Sequence, residues 1–175
     1  MSIQQPSQST AADPRAFCNL MLDIAADHGR EITNLAIQKL LYFAHGIHLT
    51  EAKRPLVTGY FEAWQFGPVH PAAYRAFKSA GANSILFRAV SQDPLTLATR
   101  PIPLLTDPNC RALAHRVITT HARTTAGRLV EISHAAGGPW DFVVNKGRTS
   151  ATFGHRISND VIAALFQRHK VSVGL

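Results

Sequence analysis

The sequence predicts a mainly α fold (α+β), with about six helices around a central helix at residues 33–50 and a small antiparallel β element that includes residues 60–65. Three observations carry this. The run Asn34 to Leu49 has Ile37, Leu40, Leu41, Ala44 and Ile47 on one helical stripe, and Leu35, Tyr42 and Leu49 on a second stripe nearly opposite. A helix apolar on two faces packs against neighbours on both sides, which makes it central. Asp13-Pro14 and Asp107-Pro108 each set an aspartate cap before a proline at the first helical position. Between them, the aromatic run Tyr60-Phe61-Glu62-Ala63-Trp64-Gln65 is too short for a helix and reads as a strand.

Taken in order, residues 1–12 form a polar N-terminal tail, residues 13–169 one domain, and residues 170–175 a frayed C-terminal tail. The first helix carries Phe17, Leu20, Met21, Ile24 and Ala25 at helical spacing and stops at Gly29. Thr33 caps the central helix, and Lys53-Arg54-Pro55 ends it. Gly67-Pro68 is expected to break the strand, and a short helix runs from about Pro71 to Ala80-Gly81. Residues 83–108 are the least regular part, with a brief strand expected over Ile85 to Val90 and prolines at 94, 101, 103 and 108 excluding any long element. A connection of that length is often a binding segment. The helix from Pro108 runs to about residue 123, and Thr124-Thr125 caps the next. Gly137-Gly138 is expected to cap that helix, Pro139 to prevent its continuation, and Trp140 to fold back onto the core. Gly147 to Gly154 reads as a loop or hairpin arm, and Ser158 caps a last helix bearing Val161, Ile162, Leu165 and Phe166.

Composition narrows the function classes. With 175 residues, 46% hydrophobic and 17% charged, the chain is long enough to bury a core and too apolar for wholesale disorder. No apolar run approaches the ~18 residues that span a bilayer. The start of the chain lacks a signal-peptide pattern. Cys18 and Cys110 lie in helical patterns and read as buried thiols in a reducing compartment, so the expected location is cytoplasmic. The formal charge of +7 and pI near 10.0 suit an acidic partner or nucleic acid. The basic residues are scattered, however, with Arg100, Arg111, Arg116, Arg123 and Arg128 the densest set, and a basic contact or solubilising surface is favoured over nucleic-acid binding.

Two blocks then stand out: Leu-x-x-Gln-Lys-Leu-Leu-Tyr-Phe-Ala-His-Gly over Leu35–Gly46, and Glu-Ala-Trp-x-x-Gly-Pro-Val-x-Pro-x-x-Tyr over Glu62–Tyr74. Leu129-x-x-Ile132-Ser133-His134 and Pro139-Trp140 follow in the same order. Together they resemble the Panacea-domain family, which includes the SocA-type antitoxins and phage-associated GepA-like proteins. The resemblance spans roughly Phe17 to Phe166. It implies an antitoxin that neutralises a cognate toxin by direct protein–protein contact, in bacteria or phage. In the SocA-like branch it also implies an adaptor that delivers the toxin to the ClpXP protease. Residues Gln38, Glu62, Gly67, Pro68, His134, Pro139 and Trp140 are assigned to the structural motif, and Lys39, Tyr42, Trp64, Phe66 and Tyr74 to the toxin-binding set.

His45 and His48 are three apart on the central helix, but no third ligand joins them, so hydrogen-bonded core histidines are favoured over a metal site. Glu62 in an apolar strand needs a partner if buried, and Lys39 is the expected one, as a structural rather than a catalytic pair. Glu131 and His134 are spaced for an acid–base pair, yet a histidine donating to a carbonyl and holding the Trp140 turn is favoured. No Gly-x-Ser-x-Gly elbow, phosphate loop or dinucleotide fingerprint occurs, and neither cysteine has an activating context. The chain is read as a non-enzyme without cofactor or metal. An autoregulator that binds operator DNA is the first alternative; a helix-turn-helix across Gly29 is conceivable, although Lys39 is the only cation on the second helix before Lys53. A hydrolase using Glu62 and a histidine is the second. Among Tyr42, Tyr60, Trp64, Phe66, Tyr74 and Trp140, most are expected in the core and at least one facing a partner.

Overall fold

A computed structural model describes residues 10–149 and 155–169. Expectations for the first nine residues, the last six, and the end of the 147–154 arm lie outside the described residues. Seven α-helices are seen among them: α1 (Pro14–Asp27), α2 (Asn34–Ala52), α3 (Pro71–Phe77), α4 (Pro108–Thr120), α5 (Ala126–Ser133), α6 (Pro139–Thr149) and α7 (Asn159–Leu165). Five short strands accompany them: β1 (Phe61–Trp64), β2 (Gly67–Val69), β3 (Val90–Gln92), β4 (Thr99–Pro101) and β5 (Arg156–Ile157). The chain is mainly α with a small antiparallel element.

The caps form where the side chains called for them. Asp13 accepts from the Arg15 amide, Thr33 from Ala36, Asp107 from Asn109, Thr125 from Arg128 and Ser158 from Val161. Each such cap is worth about 1 kcal/mol against alanine. Ala12, at the end of the expected tail, donates to Leu56 O and accepts from Thr58 N.

Helix α2 packs against α1, α3, α4, α5, α7 and β2. Every residue from Ile37 to Ile47 is buried, polar ones included. Burying Ile37, Leu40, Leu41, Phe43 and Ile47 gains about 1.5–3 kcal/mol for each side chain. Gly46 makes room for Phe166, the residue that caps the C-terminus of α7: a Cβ there would lie 2.0 Å from the Phe166 ring. Cys18 and Cys110 are free and buried, and burial raises both thiols above the usual range.

The three-stranded sheet has the order β2-β1-β5, with β1 antiparallel to both neighbours. Trp64 stands opposite Gly67, so the turn is the two-residue link Gln65-Phe66. Gly67 and Pro68 therefore do not break the strand; they form its partner. Gly67 supplies φ +95 at the turn exit. Pro68, with no N–H, is tolerated because β2 is an edge strand.

Two further expectations change. The helix capped by Thr125 ends at Ser133, with His134 as its C-cap, one turn before Gly137-Gly138. Gly137, at φ +73, sits instead in the link to α6, where its amide donates to Asp141. Pro139 opens a helix rather than merely stopping one, since its ring fixes a helical φ and the first turn needs no N–H there. That helix runs through Gly147 to Thr149, so the expected loop begins later. In the irregular segment, Ile85 to Ala89 is not a strand. Ile85 and Ala89 are buried, and pairing begins only at Val90, in a β3–β4 hairpin.

Candidate functional site

The polar residues of α2 are held in the interior. Lys39 is fully buried, and its Nζ donates to Pro68 O at 2.7 Å. Burial pushes its pKa down to about 7. The expected Lys39–Glu62 pair does not form. Glu62 is half-buried and accepts from Trp64 Nε1 at 2.7 Å, whereas the Pro68 carbonyl of β2 reaches Lys39. Gln38 donates to Asn34 Oδ1 at 3.0 Å and accepts from the His70 amide at 3.1 Å, tying α2 to the start of α3. Gly67 leaves room for this: a Cβ there would lie 2.4 Å from Ser133 Oγ and 3.1 Å from Lys39 Cε.

Lys39 and Tyr42 are corrected as partner contacts. Both are 0% exposed, and the Tyr42 hydroxyl is bonded to His169 Nε2 at 3.1 Å. A group with no accessible surface cannot touch another protein while the fold is intact. His45 is likewise a core histidine, bonded through Nε2 to Asn159 Oδ1 at 2.8 Å. Burial pushes its pKa down to about 4, which keeps the ring neutral.

The other three residues of that set do come together at the surface. Trp64 is 38% and Phe66 57% exposed, at the end of the β1–β2 hairpin. Tyr74 of α3 meets Trp64 edge-on, with ring centroids 4.8 Å apart. Leu35, Val69 and Lys78, with the polar Asn34, Gln38 and Gln65, also line an adjoining groove of about 420 Å³. Behind this face Trp140 packs partly against the core and donates from Nε1 to Trp64 O at 2.8 Å. The His134 ring stacks on Trp140 at 3.7 Å and 12°. His134 thus holds the Trp140 turn by stacking, not by the expected donation to a carbonyl. Its supposed acid–base partner Glu131 is bonded instead to Arg128 at 2.7 Å.

Leu35 was assigned to the buried second stripe of α2, yet it is 37% exposed and lines the groove. Its position in the first turn was the available signal, because a helix end leaves the core before its middle does. Tyr60 is also exposed, with the Arg156 guanidinium 3.7 Å above its ring. An apolar, aromatic groove with a cation at its rim is suited to binding rather than to proton transfer.

The helix-turn-helix alternative fails on geometry. Its reading helix would be α2, whose middle is buried on every side and cannot enter a groove of DNA. Two of the densest arginines are paired, Arg116 with Glu51 at 2.6 Å and Arg128 with Glu131. Among the described residues no helix is long and apolar enough to cross a membrane.

No solved structure matches the chain. It is 46% identical to Antitoxin SocA of Caulobacter vibrioides (strain NA1000 / CB15N) over 165 residues, covering 94% of this chain and 88% of the relative. The family described as Antitoxin SocA-like, Panacea domain, matches residues 37–141, from the first turn of α2 to the start of α6. By both measures, the chain belongs to the SocA-like antitoxin family and carries its Panacea domain.

Proposed function

We propose that this chain is an antitoxin that neutralises a cognate toxin by direct protein–protein contact, and that Trp64, Phe66 and Tyr74 form part of the contact face. The observation that carries the reading is the 46% identity to an antitoxin across nearly the whole chain. The exposed aromatic groove supports it, since tryptophan and tyrosine are favoured anchors at interfaces. The chain's charge of +7 suits an acidic toxin and steers its approach. Delivery of the bound toxin to ClpXP is the finer form of the same proposal.

The test is a growth assay with the neighbouring open reading frame, expressed with and without this protein. Toxicity of the neighbour alone, relief by this protein and co-purification of the two are the expected results. A harmless neighbour, or toxicity that is not relieved, overturns the reading. The double substitution Trp64→Ala, Phe66→Ala should keep the far-UV CD spectrum and weaken co-purification at least about tenfold. Toxin half-life with and without ClpX distinguishes degradation from blocking: a half-life unchanged by ClpX means that blocking suffices.

A further inference from the structure

The β3–β4 hairpin has two edges that differ in kind. Asp93 N donates to Ala98 O at 2.9 Å. The register pairs Ser91 with Arg100 and Val90 with Pro101. In an antiparallel ladder, inward- and outward-pointing residues alternate. Ser91 and Asp93 therefore point their backbone groups at β4, and Val90 and Gln92 point theirs away from it. On β4 the outward residues are Thr99 and Pro101, and proline offers no donor. The β4 edge is blocked in the way natural sheets block their edges; among the described residues the β3 edge has no partner strand and is open.

The inward end of the ladder is closed by a side chain. Ala89 N donates to Asn19 Oδ1 at 2.8 Å, and Asn19 Nδ2 donates to Ala89 O at 3.0 Å. Asn19 is itself 2% exposed, so this buried amide fastens β3 to α1 and holds the hairpin in a fixed position. The strand is thus anchored on one side and unpaired on the other.

Next to the polar Ser91 and Gln92 of β3, the residues flanking the strand in sequence include uncovered aliphatic side chains. Leu86 is 84%, Val90 45%, Leu95 92% and Leu97 65% exposed. The acid of this arm, Asp93, is engaged by the amides of Leu95 and Thr96 at 2.9 and 2.8 Å, while Arg100 is exposed. The arm therefore presents aliphatic surface, unpaired backbone and one charge of each sign, Arg100 and the ionised Asp93. Residues 81–85 connect it to the aromatic groove, since Gly81 lines the groove and Ile85 N bonds Ile32 O at the start of α2.

From this geometry we infer that the toxin adds an extended, apolar segment to the open edge of β3. The inference rests on the antitoxin reading and extends the contact face from the Trp64 groove to the arm. Backbone pairing at Val90 and Gln92 supplies the attachment, and alternate side chains of the added strand meet Leu86 and Leu97. Charge complementarity favours an acidic toxin over a second copy of this chain, which carries the same +7.

The experiment uses the full chain and the neighbouring open reading frame's product. Val90→Pro removes the outward N–H and leaves the inward ladder untouched, so it imposes on β3 what Pro101 does for β4. Val90→Thr keeps the N–H as a control. Expected are unchanged CD spectra for both, at least a tenfold loss of affinity for Val90→Pro only, and at least tenfold slower hydrogen exchange at Val90 and Gln92 in the wild-type complex. If wild type and Val90→Pro relieve toxicity and bind equally, the edge inference fails while the antitoxin reading stands. A Val90→Pro that loses its fold moves the decision to the exchange measurement, where unprotected Val90 and Gln92 amides overturn the inference. If Val90→Pro instead converts a wild-type dimer to a monomer, the occupant is a second copy and the inference is again overturned. If wild type neither binds nor relieves, both readings fall together.

Discussion

Helix α2 and the 83–108 arm are opposites, and the contrast explains what a family resemblance reports. The α2 motif is buried from Ile37 to Ile47, with its lysine, glutamine and histidine all inside. The arm has two three-residue strands and leaves Leu86, Leu95 and Leu104 at 84%, 92% and 69% exposure. The residues that make the chain recognisable are those that fill its interior. Most residues free to meet a partner lie elsewhere, although Leu35, Trp64 and Tyr74 belong both to the motif and to the surface groove. A motif read from sequence is thus first a statement about packing, and only second about what the protein touches.

The strongest way to break that contrast is Gly46→Ala. Alanine in mid-helix gains about 1 kcal/mol over glycine from propensity alone. Against this, the new Cβ would lie 2.0 Å from a Phe166 ring that is 0% exposed and edge-on to Tyr42. Overpacking of this kind costs about 1–3 kcal/mol or more, so the collision should win and the urea midpoint should fall. In a Phe166→Leu background the same substitution should cost much less. A neutral Gly46→Ala would mean that α7 is not seated as described.

The interior should also declare itself by pH. The His45 pKa is pushed down to about 4 by burial, from an ordinary value near 6.5. His70, His121 and His169 are lowered too, burial again being the main cause. A lowered histidine binds its proton less readily folded than unfolded. Its stability contribution is therefore complete above pH ~6.5 and is lost as pH falls toward ~4. Urea midpoints should decline through that window, and His45→Gln should flatten part of the slope. A flat profile would show that these rings are wetter than the fold implies.

Lys39 acts with the same sign at higher pH. Its pKa falls from 10.5 to about 7 on burial, so from pH ~7 to ~10 the unfolded chain holds a proton that the folded chain has lost. The lysine should make stability rise from pH ~7 to about 9, and Lys39→Met should remove the rise. Above that, the raised Cys18 and Cys110 thiols oppose it. Met leaves Pro68 O without its donor, so its midpoint at high pH should lie below that of wild type. At pH 6, where wild type buries an ammonium, the two should be closer. A wild-type profile without the rise would place the amine in solvent.

Much of the frame was legible in the sequence because caps and periodicity are local. The Asp13, Thr33, Asp107, Thr125 and Ser158 caps, and the centrality of α2, follow from neighbours within a few residues. What was not legible depended on pairs far apart. Gly67-Pro68 looked like a break because the hydrogen bond that makes sense of it comes from Lys39, 29 residues away. Pro139 looked like a stop because its role as a start depends on the turn closed by Asp141. Lys39 and Tyr42 looked like contacts because a polar residue in a motif suggests a surface, and nothing local reveals that β2 and His169 cover them. The candidate face was only half readable: its aromatics could be named, but their meeting across β1 and α3 needs the tertiary fold.

The smallest expected effect lies in the arm and tests its independence from the core. Leu97 adopts φ +58, a left-handed conformation that costs a side-chain-bearing residue about 1–2 kcal/mol. Its side chain is 65% exposed, so it recovers little by burial. Leu97→Gly relieves the backbone but enlarges the entropy of the unfolded chain, an offset of about 0.5–1 kcal/mol. The net gain should be at most about 1 kcal/mol, with slower amide exchange confined to residues 90–101. Leu95→Ser, at an even more exposed position, should change stability by less than about 0.5 kcal/mol. Should Leu97→Gly instead lower the midpoint by more than that, the arm is packed into the fold. The division between an interior that defines the family and an exposed arm that meets its partner would then have to be redrawn.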